Sequence, residues 1–140
     1  MDWAWRAAML RRVMSIRLNH TIVWCSDQRR SATFLAEMLG RPAPTRFGPF
    51  DVVGVDNDVS LDFHVTDEPV APQHYAFLID EAEFDTIFGR ILDRGLDYWA
   101  DPGRTRRGEI NRRDGGRGVY FQDPDGHLLE VLTRPYGSGG

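Results

Sequence analysis

The same order of elements runs twice through this 140-residue chain, and that repetition constrains the fold more than any single motif does. Residues 16 to 25 (IRLNHTIVWC) are rich in β-branched and apolar side chains, the composition of a buried strand. Ser26 or Asp27 then supplies the cap of a helix in which Ala32, Leu35, Ala36 and Leu39 recur at helical spacing until Gly40 and Pro42 end it. Three short strands are expected around Arg46 to Phe50, Asp51 to Val55 and Val59 to Val65, punctuated by Gly48, Gly54 and the cluster Asp56-Asn57-Asp58. Past the linker TDEPVAPQ the order returns, with HYAFLID as a strand and EAEFDTIFGRILDRG as a helix. Phe84, Ile87, Phe88, Ile91 and Leu92 share one face of that helix, and Gly95 stands where its C-terminal cap belongs. A long loop rich in arginine leads to two last strands, GVYFQD and HLLEVLT, turned by Pro124, Asp125 and Gly126. His20 and His74 lie 54 positions apart, a period that suits one α+β module but not an independent domain. The expected fold is therefore α+β: two βαβββ modules, about 16–66 and 72–135, forming one curved mixed sheet around a cavity, with the helices outside.

Composition narrows the function. A hydrophobic fraction of 41% and a charged fraction of 27% are ordinary for a globular chain with one core. The formal net charge of −4 offers no broad cationic surface, so nucleic acid is not an expected partner. Cys25 is the only cysteine, which excludes an intrachain disulfide and a cysteine-based zinc site and reads as a buried core thiol. No stretch approaches 18 apolar residues, so no membrane span is expected. The opening segment, residues 1–14, lacks the apolar core and cleavage site of a signal peptide and reads as an appended helix or an upstream start ahead of Met14. The cytoplasm is the default location, and residues 137–140 read as a flexible tail.

Three groups able to ligate a metal fall on expected strands: His20, His74 and Glu130. Alternation places Leu128, Glu130 and Leu132 on one face of the last strand, so an apolar face carries a carboxylate that needs a partner or an aqueous cavity. The repeat relates His20 to His74 across the sheet. Two imidazoles and one carboxylate with open positions suit Fe2+, Mn2+, Zn2+ or Ni2+. Asp62 and His64 share one face of an earlier strand, and His127 falls in the last turn, where exposure is expected. Arg104, Arg106, Arg107, Arg112, Arg113 and Arg117 make the long loop either a solvated surface or a lid that draws in an anionic ligand. Tyr98 and Trp99 before it supply either core or an aromatic wall.

The segments LNHTIV (18–23), QHYAFLI (73–79) and GRGVYFQDPDGHLLEVLTRP (116–135) give the chain a resemblance to the vicinal oxygen chelate superfamily of glyoxalases, bleomycin resistance proteins and extradiol dioxygenases. The last segment is the specific one. Its pattern Y-x-x-D-P-x-G-x-x-x-E, from Tyr120 through Asp123, Pro124 and Gly126 to Glu130, resembles the extradiol dioxygenase signature. That resemblance implies one divalent metal ion held by His20, His74 and Glu130, with iron or manganese ahead of zinc or nickel. It makes Asp62, a shorter residue in the place where glyoxalases have a ligating glutamate, either a fourth ligand or a structural residue, and Tyr120 a group that hydrogen-bonds the bound substrate. Dioxygenases of this type carry a further histidine shortly before that tyrosine, where this chain reads Asn111, Arg112, Arg113, Asp114. Arginine stays protonated and cannot shuttle a proton near neutral pH, so either the acid/base role has moved or the chemistry differs, and Arg112 reads as a binder of an anionic substrate group or as a solvated loop charge. The implied activity is that of a metal-dependent, dioxygenase-like enzyme acting on a small substrate with vicinal oxygens, in a homodimer. The alternatives are an isomerase, lyase or transferase of glyoxalase or fosfomycin-resistance type, and a metal-free drug-binding protein.

Overall fold

The computed structural model describes residues 15–138, so the segment read as an N-terminal extension lies outside the described residues. The first module comprises β1 (His20–Cys25), α1 (Gln28–Leu39), β2 (Thr45–Phe47), β3 (Phe50–Gly54) and β4 (Ser60–Val65). The second comprises β5 (His74–Leu78), α2 (Glu81–Asp93), β6 (Tyr98–Trp99), β7 (Gly118–Gln122) and β8 (Leu128–Leu132). Each module bonds into its own four-stranded mixed sheet, in the orders β1-β4-β3-β2 and β5-β8-β7-β6. The first strand of each pairs parallel to the last, and the other pairings are antiparallel. The curved sheet of the sequence reading is thus built of two separately bonded halves.

Helix boundaries follow local chemistry. Asp27 caps α1 by accepting from the Arg30 amide, and Asp80 caps α2 by accepting from Glu83. Gly40 and Gly95 turn the chain out of the two helices at φ 67° and 63°, a conformation that only glycine adopts without strain. Two expectations need correction. β1 starts at His20, not Ile16, because β4 supplies partners only from Ser60 onward, opposite His20. Leu92 points outward at 51% exposure, since α2 buries a narrow stripe of Phe84, Ile87 and Ile91. After β8, the Gly137 amide donates to Asp114 Oδ2 and the Ser138 amide to the Pro135 carbonyl.

One core joins the modules. Val23, Cys25, Leu61 and Phe63 of the first sheet, Val119, Phe121, Leu129 and Val131 of the second, and Leu35, Met38, Phe84, Ile87 and Ile91 of the helices pack together. Truncating Phe84, fully buried there, would cost about 3–5 kcal/mol. Strand alternation turns the remaining side chains to the opposite faces of the sheets, His20, Ile22, Trp24, Asp62 and His64 in one half and His74, Tyr120 and Glu130 in the other. Polar ties also cross between the halves. Asp125, in the β7–β8 turn, accepts from the Ser26 amide and from the Ser26 and Ser31 hydroxyls.

Candidate metal centre

Three neighbouring strands of the second sheet assemble the site. Glu130 of β8 stands opposite Ala76 of β5 on one side and Tyr120 of β7 on the other, and His74 lies two residues before Ala76. That diagonal step is within reach of a long side chain, and His74 Nε2 lies 3.0 Å from Glu130 Oε1. The two differ in exposure: the Glu130 side chain is 1% exposed and that of His74 44%. The His74 and Tyr120 rings approach to 5.7 Å between centroids.

The second oxygen of Glu130 has its own partner. The Tyr136 hydroxyl, from the segment after β8, donates to Glu130 Oε2. Its single proton is then committed, so Tyr120, 2.7 Å away, donates to the Tyr136 oxygen. The Arg113 guanidinium stands 5.6 Å above the Tyr136 ring, a cation–π distance. Burial first, and then the hydrogen bond to the Glu130 carboxylate, push the Tyr136 phenol well above the ordinary tyrosine range. Burial likewise raises Tyr120, against the opposing effect of its bond to Tyr136. Both rings therefore stay protonated at neutral pH.

The other expected residues are dispersed. His20 is exposed, and its Nδ1 lies 2.8 Å from the Asn19 side-chain oxygen. Among the described residues, no three His, Cys, Asp or Glu side chains come together as a metal-binding group. Asp62 accepts from the Ser60 hydroxyl at 2.8 Å. His64 packs its ring against Trp24 and Phe50 and contacts the Val65 carbonyl. Arg112 lines a shallow cavity of about 460 Å³ with Arg106, Ile110, Asn111 and Arg113. A larger cleft of about 630 Å³ opens beside His74, walled by Ile22 and Trp24 of β1 and by Glu68 and Pro69 of the linker.

Two readings of the loops need correction. His127 is 1% exposed instead of a surface turn residue. Its Nδ1 accepts from the Gln73 amide and its Nε2 donates to the Trp24 carbonyl, so it ties the last turn to both modules. Sequence spacing around Asp-Pro-Asp-Gly gave no hint of those distant carbonyl and amide partners. The arginine loop is mostly tied down: Arg107 pairs with Asp97, Arg106 with Glu109, and Arg117 with Glu81 and Asp85 on α2. Trp99 is buried and Tyr98 packs edge-on against Phe88, which makes both core. Arg113 was among the six loop arginines of the sequence reading, whereas Tyr136 is a functional candidate that reading missed. Its signal was the pair Pro135-Tyr136, where a proline ends the last strand and a hydroxylated ring follows.

Paired βαβββ modules with a carboxylate and an imidazole facing one another across the last parallel pair of strands define the vicinal oxygen chelate class. The chain belongs to the glyoxalase/bleomycin resistance protein/dioxygenase superfamily, whose family model matches residues 17–131. Among solved structures it is similar to the oxidase ChaP-H1, with 67% identity and a TM-score of 0.87 over 88% of this chain and 99% of that one. Among curated proteins it is similar to the glutathione transferase FosA of Serratia marcescens, at 32% identity over 81% of this chain and 78% of that protein. It also resembles the metallothiol transferase FosB of Shouchella clausii, at 47% identity, but over a 60-residue stretch covering only 37% of that relative.

His74 and Glu130 supply two of the donors that a divalent cation needs. A fully buried carboxylate is costly unless positive charge or hydrogen-bond donors offset it, and among the described residues Glu130 meets the Tyr136 hydroxyl on one oxygen and the His74 ring on the other. One imidazole nitrogen and one carboxylate oxygen, 3.0 Å apart, are the beginning of a two-histidine, one-carboxylate set.

Proposed function

We propose that this protein is a metal-dependent oxidase or oxygenase whose site is completed between two copies of the chain. The observation that carries the metal is the buried Glu130 carboxylate with His74 3.0 Å away. His20 of a second copy is the third ligand. It occupies the position in the first module that His74 occupies in the second, and it is exposed beside large apolar side chains: Ile16, Leu18, Ile22 and Trp24 are 100%, 68%, 40% and 48% exposed. An apolar strip of that kind marks a surface that another chain covers. Support for oxidation comes from the 67% identity to the oxidase ChaP-H1.

A divalent ion, when bound, supplies positive charge that stabilises negative charge developing on vicinal substrate oxygens. The chain's own residues do the rest. His74 and Glu130 hold the site, Tyr120 and Arg113 polarise its wall, and the cleft beside His74 admits a small substrate. Arg112 and Arg113 favour a ligand that carries negative charge or becomes negative on ionisation. Asp62 stays outside the ligand set, and iron or manganese is the resident ion.

The test measures metal content of protein purified without chelator, beside His20→Ala, His74→Ala and Glu130→Ala. Near-stoichiometric metal in the wild type and a sharp fall in all three variants is expected, and no metal in the wild type after reconstitution removes the reading. Mixing His20→Ala with Glu130→Ala decides the sharing, because a mixed dimer with shared sites regains one intact site and a chain with self-contained sites regains none. Oxygen uptake by the iron-loaded protein with a panel of catechols and polyphenols tests the oxidative activity.

A second reading has its own support in the 32% identity to a glutathione transferase. It assigns the same metal to activation of an oxygen-rich small molecule for attack by a thiol. Glutathione with fosfomycin is the assay, and adduct formation without oxygen uptake would favour it over oxidation.

A further inference from the structure

We infer that Tyr136 is a positioning residue for the Glu130 carboxylate, delivered by a C-terminal segment that the Asn111–Gly116 loop clamps in place. The inference rests on the metal site proposed above and concerns a residue that neither the strand pattern nor the signature motif includes. The carboxylate has two oxygens with separate duties. Oε1 faces His74 and Oε2 receives the Tyr136 hydroxyl. A carboxylate whose outer oxygen is held by a hydrogen bond presents the other to an ion as a single, oriented ligand, and losing such an outer partner weakens metal binding by about 10–100-fold.

The clamp is built from the loop in which the dioxygenase-like pattern has lost its histidine. Arg113 covers the Tyr136 ring, and Asp114, in a left-handed conformation at φ 54°, accepts from the Gly137 amide at 3.0 Å. Gly116 lies flat against the end of β8: a Cβ there would meet the Thr133 hydroxyl oxygen at 2.6 Å and the Arg134 side chain at 3.0 Å. The tail is closed on itself by the Arg134 guanidinium donating to the Ser138 carbonyl. Tyr120 completes the chain Tyr120–Tyr136–Glu130, its hydroxyl donating to the Tyr136 oxygen whose own proton goes to Glu130. The loop thus gives up an imidazole and holds a phenol against the ligand instead.

Tyr136→Phe keeps the ring under Arg113 and removes only the hydroxyl. Co2+ titration of the full chain, followed by its visible ligand-field bands, reads both affinity and coordination, and thermal unfolding of the metal-free protein reads the fold. The expected result is Co2+ binding weakened by about 10-fold or more in Tyr136→Phe, with an altered band intensity as the carboxylate changes its mode of ligation, and an unchanged melting temperature without metal. Wild-type affinity and spectrum in Tyr136→Phe would overturn the inference, as would tighter binding, which would make the tail an obstruction. No Co2+ uptake by the wild type would remove the metal site and this inference together, an outcome distinct from uptake that is indifferent to Tyr136.

Discussion

The two modules carry the same register and reach different ends. Asp62 stands opposite Ile22 as Glu130 stands opposite Ala76, two residues beyond His20 and His74 respectively. In the second module the histidine and the carboxylate meet, whereas in the first His20 contacts Asn19 and Asp62 accepts from Ser60. Aspartate is one methylene shorter than glutamate, too short for the diagonal reach, and a local hydroxyl takes its oxygen. Among the described residues, the second module also has a cover without a counterpart in the first, since Tyr136 and Arg113 arrive from outside the strands. A repeat sets where side chains stand in a sheet, but side-chain length and covering segments decide which copy becomes a site.

The sharpest test of that contrast replaces each carboxylate. Glu130→Gln should lower metal affinity beyond the roughly 100-fold that loss of an outer partner brings, while Asp62→Asn should change it by less than about 3-fold. Equal losses measured by metal titration would restore Asp62 as a ligand and erase the difference between the modules.

Next in size is the contrast between turns. His127→Ala leaves the Gln73 amide and the Trp24 carbonyl without their buried partner and opens a void, so destabilisation of about 2–4 kcal/mol is expected in denaturant unfolding. Asn57→Ala, in the exposed turn of the first module, should stay within about 0.5 kcal/mol.

Asp125 sharpens the comparison at the seam. Burial would raise its carboxyl, but the hydrogen bonds from Ser26 and Ser31 prevail and hold it below the usual carboxylate range. A depressed folded value stabilises the protein above the ordinary carboxylate range and loses that contribution as pH falls through the folded value. Asp125→Asn should therefore cost about 1–2 kcal/mol at neutral pH, and its deficit against wild type in urea unfolding should shrink toward acid. A deficit that is constant with pH would mean that the carboxylate charge plays no part in joining the modules.

The smallest expected effect concerns Cys25. Burial first, and then the carboxylates of Asp125 and Asp123, push its thiol up to about 12. A thiol reagent at neutral pH should label it slowly in the native protein and rapidly in denaturant. Fast native labelling would show that the core beneath β1 opens readily.

Much of this was written along the chain. Periodicity and capping residues determined both helices and alternation determined which faces of the strands are apolar, because these signals are local, while the repeat determined the paired modules and, with the family resemblance, brought His74 and Glu130 forward as candidates. Tertiary structure alone decided that His74 and not His20 of the same chain meets Glu130, that His127 is buried, that the Arg117 side chain packs against α2, and that Tyr136 closes on the carboxylate. Each of those depends on segments that approach only when the core forms, and neither periodicity nor a motif encodes the distance between chains so brought together.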